Sequence, residues 1–416
     1  MDFRPSSTRL LSGLVLAGLV ALAVPPAHAE SRPKKARPAP VQPAPVRDGQ
    51  AEARLLEIYR LIGQGDARQA LARAEALVAE HPNFQLAQLV YGDLLAMRSR
   101  PVRNLGDVPD LSAPGAAPQL AELREESQLR IRALRERPPP GAVPAQFLQL
   151  SPRSRHAIAV DTSRARLYLF ENTPAGLKLV ADYYVSVGRH GIDKAIEGDL
   201  RTPLGVYHVT SNLDPKTLKD FYGAGALPIN YPNPLDARRG KTGSGIWLHG
   251  TPPNQFARAP RATDGCVVIA NPDLERIIRT VEVRTTPVVI APSLKWVQPQ
   301  SLQADAKAFT ESLEAWRAAR SRGEYDRLMT FYTPDFTANG KGVAEWTRQL
   351  RAELDRKPRR ELQLKEVSFL RWTDSADTMV VTFGEVPEGA RTGPVKRQYW
   401  IRVGQQWKIF FEGVIG

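Results

Sequence analysis

The hydrophobic pattern of this chain changes its period part-way along, and a triple proline stands at the change. Between Ala51 and Arg98 apolar residues recur every three or four positions: Leu55, Ile58, Tyr59 and Ile62, then Ala70, Leu71, Ala74, Leu77 and Val78, then Leu86, Leu89, Val90 and Leu94. That spacing lines one face of successive helices. From His156 the spacing becomes two, as in Ile158 and Val160, Leu167 and Leu169, or Val185 and Val187, which is the period of a half-buried strand. Pro138-Pro139-Pro140 lies between the two regimes, removes consecutive N–H donors and fixes φ at each position, so no helix or ladder runs through it. A helical unit must therefore precede a β-rich one.

Within the helical part, Gly63 to Gly65 break the first helix from the second, Asp66 is placed to cap the second with Gln69 three residues on, and His81-Pro82 end it. With Pro82, Asn83, Phe84, Ala87, Tyr91 and Gly92 following, residues 51–98 resemble a tetratricopeptide repeat, about one and a half units of its roughly 34-residue period. Such solenoids usually need three repeats, so two readings stand: a surface for a protein partner, or a hairpin that packs on its neighbour or forms a homodimer. Pro101 to Pro118 is rich in Pro and Gly and reads as irregular, and Gln119 to Arg137 as a charged helix.

Residues 1–29 carry Arg4 and Arg9, the apolar run Leu10–Val24 and then Ala27-His28-Ala29, the order of a secretory signal with its cleavage site. The run falls short of the roughly 20 residues that span a bilayer, and Pro25-Pro26 end it, so a cleaved signal and a periplasmic protein without a membrane span are expected. Ser31 to Val46 alternates Pro with Ala, Val, Lys and Arg and reads as a basic extended spacer. The 57 Lys and Arg against 44 Asp and Glu give +13, which favours an anionic partner. Those basic residues are spread along the chain, which argues against nucleic acid and for an anionic envelope surface.

One cysteine, Cys266, excludes an internal disulfide and any Cys-cluster zinc site. In an oxidising compartment a lone thiol is either buried and inert or kept to react. Ile246-Trp247-Leu248-His249-Gly250 ends a short apolar strand on a histidine, and Thr263-Asp264-Gly265-Cys266 follows, with residues 250–265 between His249 and Cys266. A thiol and an imidazole, each beside glycine, are the parts of a nucleophile with its general base. A small buried cysteine near an unrelated histidine is the other reading.

At these residues the chain resembles the L,D-transpeptidase catalytic domain of bacterial cell-wall enzymes. The signature is carried by His249, Gly250, Thr263, Asp264, Gly265 and Cys266, and upstream by Thr202-Pro203-Leu204-Gly205. The resemblance covers roughly residues 153–292 and implies acyl transfer on peptidoglycan stem peptides. Cys266 would be the nucleophile, His249 the base and the Gly250 carbonyl the orienter of the imidazole. N–H groups at Gly265 and Cys266 would be oxyanion donors, and Thr263 and Asp264 would be substrate contacts. Many members have histidine before the Gly-Cys pair and arginine two residues after it, where this chain has Asp264 and Val268. The implied reaction cleaves before the terminal D-alanine of a tetrapeptide stem, through a thioester, and needs no metal or organic cofactor. An amine acceptor gives a 3-3 crosslink or protein attachment, and water gives an L,D-carboxypeptidase. A degenerate, non-catalytic domain would give a peptidoglycan-binding scaffold.

The last segment opens on a helix bearing Phe309, Leu313 and Trp316, adds a second around Glu324 to Tyr332, and ends in strands around Val367, Met379–Phe383, Gln398–Val403 and Trp407–Phe411. It resembles an NTF2-like domain, in which Trp316, Tyr325, Tyr332, Phe336 and Trp346 read as core. The same order of helical, transpeptidase-like and NTF2-like parts occurs in L,D-carboxypeptidases that set the shape of helical bacteria. The expected fold is multidomain α+β: a signal at 1–29, a linker at 30–50, the helical region at 51–98, an irregular segment with a charged helix at 99–149, the catalytic-type domain at 150–292 and the NTF2-like domain at 300–416.

Overall fold

The computed structural model describes residues 47–107, 115–338, 340–355 and 361–415. The expected signal at 1–29 and most of the linker at 30–50 lie outside the described residues. The fold is multidomain α+β, with helices first, a β-rich centre and an α+β C-terminal part. Four helices open it: α1 (Gln50–Gly63), α2 (Ala67–Glu80), α3 (Gln85–Ala96) and α4 (Ala116–Arg135). Asp66 caps α2, its side chain accepting from the Gln69 N–H at 3.1 Å. Among the described residues no helix is long and apolar enough to cross a membrane.

The central sheet runs, in spatial order, Gly205–His208, Pro287–Ala291, His156–Asp161, Arg166–Thr173, Gly176–Gly188, Val267–Ile269, Trp247–His249 and Ala226–Pro228. Two of its joints bring the motif residues together. The strand after Cys266 lies parallel to the strand that ends on His249, with Val267 opposite Leu248 and Val268 opposite His249. The long strand Gly176–Gly188 holds Val267–Ile269 antiparallel and Arg261–Thr263 parallel. Ile158, Val160, Leu167, Val185, Leu248, Val267 and Ile290 fill the core beneath it, each almost wholly buried.

The helical region is fixed to this sheet by charge as well as by apolar contact. Arg130 of α4 pairs with Glu126 at 2.7 Å and with Glu52 of α1 at 2.8 Å, while Glu52 also holds Arg166 at 2.7 Å and Arg166 pairs with Asp182. All five side chains are buried, two guanidiniums among three carboxylates, and Arg137 brings a third cation to 3.7 Å from Asp182. Burial works against ionisation of Glu52, but Arg166 and Arg130 outweigh it and hold the carboxyl down at about 2.

The C-terminal part is a seven-stranded sheet backed by the helices Gln303–Arg322 and Val343–Leu354. Trp316 and Phe336 are buried in the layer between helices and sheet, with Phe309, Phe383 and Trp400. Its second helix is shorter than the sequence suggested: it spans Tyr325–Met329, and Tyr332 opens a strand, Tyr332–Ala338, instead. The segment 99–149 also differs from a merely irregular one. Val143–Pro144 pairs with Trp296–Val297, and Phe147–Gln149 adds an edge strand to the C-terminal sheet against Leu362–Thr373. Runs of two or three residues are too short to show a period, so nothing in the sequence marks them. The other face of this sheet, bearing Leu370, Trp372, Val380, Tyr399 and Phe410, packs on Tyr168, Phe170, Val206 and Val289 of the central domain.

Candidate active site

The parallel joint sets Cys266 immediately before the strand beside the one that ends on His249, two register positions before the residue opposite His249. Cys266 Sγ accepts the Trp247 N–H at 3.4 Å and lies 3.5 Å from the Gly245 carbonyl, both on the stretch that leads to His249. Cys266 is half-buried and His249 almost wholly buried. His249 Nδ1 lies 2.7 Å from the Gly250 carbonyl, an acceptor only, so the ring donates there and Nε2 keeps its lone pair.

Gly250 is required by crowding. A Cβ there would stand 2.0 Å from Asn271 Oδ1 and 2.9 Å from the Ala224 nitrogen. Asn271, the first residue of the helix Asn271–Thr280, stitches this corner: its Oδ1 accepts from the Ala224 N–H at 2.9 Å and the Thr251 N–H at 3.1 Å, and its Nδ2 donates to the Thr251 carbonyl at 2.8 Å.

On the cysteine side, Gly265 sits at φ +123°, and a Cβ would stand 2.7 Å from the Arg201 carbonyl. Two expectations change here. The Gly265 N–H, taken as an oxyanion donor, is already committed to Thr263 Oγ1 at 3.1 Å. Thr263, taken as a substrate contact, is buried, and its hydroxyl donates to the Cys266 carbonyl at 2.7 Å. Its hydroxyl is consumed in shaping the turn that presents the thiol. Asp264 is exposed and pairs with Arg189. Thr202 of the upstream motif links two segments, accepting the Gly188 N–H at 2.8 Å and donating to the Gly265 carbonyl at 2.9 Å.

Aromatic rings wall the imidazole. Tyr222 and Phe221 lie 5.0 and 5.8 Å from it, centroid to centroid, and Tyr222 also packs on Trp247 at 4.8 Å. Arg258 covers the Phe221 ring at 4.4 Å, and its Nε is buried without a partner. The loop bearing Arg258 is held by the helical region: Phe256 stacks on Phe84 at 4.3 Å, its N–H donates to the Asn83 carbonyl at 3.1 Å, and Asn83 Nδ2 donates to the Pro253 carbonyl at 2.9 Å. Part of the surface that a protein partner of the helical hairpin could have used is thus taken by the chain's own loop.

These surroundings set the resting protonation. Burial pushes the Cys266 thiol up to about 11, with Asp264 acting in the same sense and the Trp247 N–H, Arg258 and Lys194 against it. Burial pulls His249 down to about 4, opposed by the Gly250 carbonyl and aided by Arg258. At neutral pH the two are therefore a neutral thiol and a neutral imidazole. Among the described residues no group of three or more His, Cys, Asp or Glu is placed to hold a metal ion.

Residues 155–290 match the L,D-transpeptidase catalytic domain family, YkuD. The centre of this chain is a YkuD domain. Residues 308–413, after it, match the Cds6 C-terminal NTF2-like domain. Among solved structures, Bd1075 of Bdellovibrio bacteriovorus is similar at 26% identity and a TM-score of 0.56, over 66% of this chain and 98% of that one. The helical cell shape determining protein Pgp2 of Campylobacter jejuni shares the fold at 21% identity and a TM-score of 0.52, over 65% of this chain and 95% of that one. No curated protein matches this chain. Within the YkuD domain, sequence reasoning passed over Asn271, Arg258 and the Phe221-Tyr222 pair. Only Arg258 carried a readable signal, as a cation inside the stretch between the two motif residues.

Proposed function

We propose that this protein is an exported, cysteine-dependent acyltransferase acting on peptidoglycan stem peptides in the periplasm. The observation that carries the reading is the parallel joint that sets Cys266 beside the strand ending on His249, with the imidazole fixed through Nδ1 so that Nε2 is basic. In this reading the Cys266 proton passes to His249 Nε2 as the sulfur attacks the carbonyl of the third stem residue, and the imidazolium returns it to the departing D-alanine amine. A thioester remains, and an acceptor amine takes the acyl group. The N–H of Cys266 serves as an oxyanion donor, since that of Gly265 is committed. Arg258, beside the thiol, attracts the stem's carboxylate.

Hydrolysis is the second reading, favoured by the order of helical, YkuD and NTF2-like parts, which resembles that of L,D-carboxypeptidases; Pgp2, which shares the fold, is a helical cell shape determining protein. Carried to this chain, it makes the product a trimmed tripeptide stem and the role one in cell shape. The test is mass spectrometry of purified tetrapeptide muropeptides incubated with the protein lacking residues 1–29, beside Cys266→Ala. Cys266-dependent 3-3 dimers support transfer, and tripeptide with free D-alanine supports hydrolysis. No turnover by either route would sink the catalytic reading and leave a peptidoglycan-binding scaffold.

A further inference from the structure

A second site lies away from Cys266, at the seam between the YkuD domain and the C-terminal sheet. A cavity of about 460 Å³ opens there, within the range of small-molecule sites. Its lining brings arginines, a histidine and hydroxyls to a seam that is elsewhere packed with aromatic and aliphatic side chains. Arg397 belongs to this lining and is 9% exposed. Its Nε donates to Thr382 Oγ1 at 3.0 Å and its Nη2 reaches the Arg284 carbonyl at 3.5 Å. Among the described residues no carboxylate comes within ion-pairing distance of it, in contrast to the compensated network at Arg130 and Arg166.

A buried guanidinium supported only by a hydroxyl and a carbonyl retains unmet demand for negative charge. The surroundings add to that demand. Arg153 and Arg284 of the lining are exposed and have no carboxylate partner among the described residues, and Arg155 of the lining is shared with Glu282 at 3.0 Å. His208, almost wholly buried, lines the cavity with its Nδ1 unpartnered, and Thr285 Oγ1 beside it is likewise unpartnered. One carboxylate, Glu366, belongs to the lining, and it is exposed. Leu150, Val283, Leu370, Val395 and Ile415 supply apolar wall.

We propose that this seam cavity binds a small organic carboxylate, its charged end on Arg397 and its apolar body against the walls of both domains. A forked guanidinium matches a carboxylate, and the apolar lining suits a ligand with a hydrocarbon part better than a bare inorganic anion. Because both domains contribute, occupancy would brace the C-terminal sheet against the YkuD domain. The site makes no use of the thiol, so its test stands or falls apart from the acyltransferase reading.

The probe is hexanoate, titrated calorimetrically into the Cys266→Ala protein at low salt, with hexanamide and inorganic phosphate as comparisons. Saturable binding of hexanoate, at least tenfold tighter than hexanamide or phosphate, is expected. It should weaken at least tenfold in Arg397→Gln and severalfold in Arg153→Ala/Arg284→Ala, a double variant of exposed residues that serves should the buried Arg397 variant fail to fold. Equal affinity for the amide, tighter binding of phosphate, no saturation in the millimolar range, or binding unchanged in the rim variant would each overturn the proposal.

Discussion

The resting state of the Cys266–His249 pair can be read from the rate at which the thiol is alkylated. A thiol held at about 11 is ionised to about one part in ten thousand at pH 7, against about three in a hundred for a free cysteine. By ionised fraction alone Cys266 would react roughly 300-fold more slowly than a free thiol, and the greater nucleophilicity of a more basic thiolate would recover about tenfold of that. The expected net retardation is about 30-fold, with the rate rising about tenfold per pH unit from 7 to 10. Cys266 is the sole cysteine, so iodoacetamide uptake followed by intact mass reports on it without background. His249, pulled down to about 4, gives no inflection between pH 6 and 8. A fast rate already flat across pH 6 to 8 would mean a preformed thiolate–imidazolium pair, and the reasoning from burial would be wrong.

Three further outcomes come from other buried or half-buried groups. Asn271→Ala removes the bonds to Ala224 and Thr251, which should lower stability by about 2–4 kcal/mol in urea unfolding and reduce Cys266-dependent turnover more than substrate affinity; full turnover would show that the corner does not position His249. In the buried charge network, Glu52 stabilises fully above pH about 4.5 and loses that contribution as pH falls towards 2, so Glu52→Gln should cost about 3–5 kcal/mol at pH 7 and little near pH 2. Asp273, pushed up to about 7 chiefly by burial and then by Glu52, has the opposite sign. Its folded form holds a proton that the unfolded chain releases near pH 4, so stability declines as pH rises from 4 through 7, by about 4 kcal/mol at most. Asp273→Asn should flatten that decline in urea midpoints compared at pH 5 and 8, and an unchanged slope would count against it.

Much of this molecule is legible in its sequence, for identifiable reasons. The helices α1 to α3 announce themselves by period and by Asp66, because a cap and an apolar stripe are local. Cys266 and His249 stand out because reactive side chains are scarce here and flanked by glycine. Asn271 does not stand out. Its work is hydrogen bonding to backbone groups 20 and 47 positions away, and an asparagine opening a helix has an ordinary local explanation. The bond from the Gly265 N–H to Thr263 Oγ1 is hidden for a related reason: whether a donor is free depends on whether a hydroxyl two residues earlier accepts it. The edge strand Phe147–Gln149 is decided by its partner rather than by its own pattern, because an edge that accepts three residues asks little of them.

The Asn83–Pro253 bond joins residues 170 positions apart, and Phe84 on Phe256 spans a similar separation. Contacts of that reach carry a large loop-closure cost, so the shape of the loop between His249 and Cys266 is expected to depend on the helices and the sheet together. Secondary structure regained on refolding is therefore a poor proxy for a finished site. A shortened protein cut at the triple proline would keep every residue of the catalytic motif and lack the template against which its loop sets.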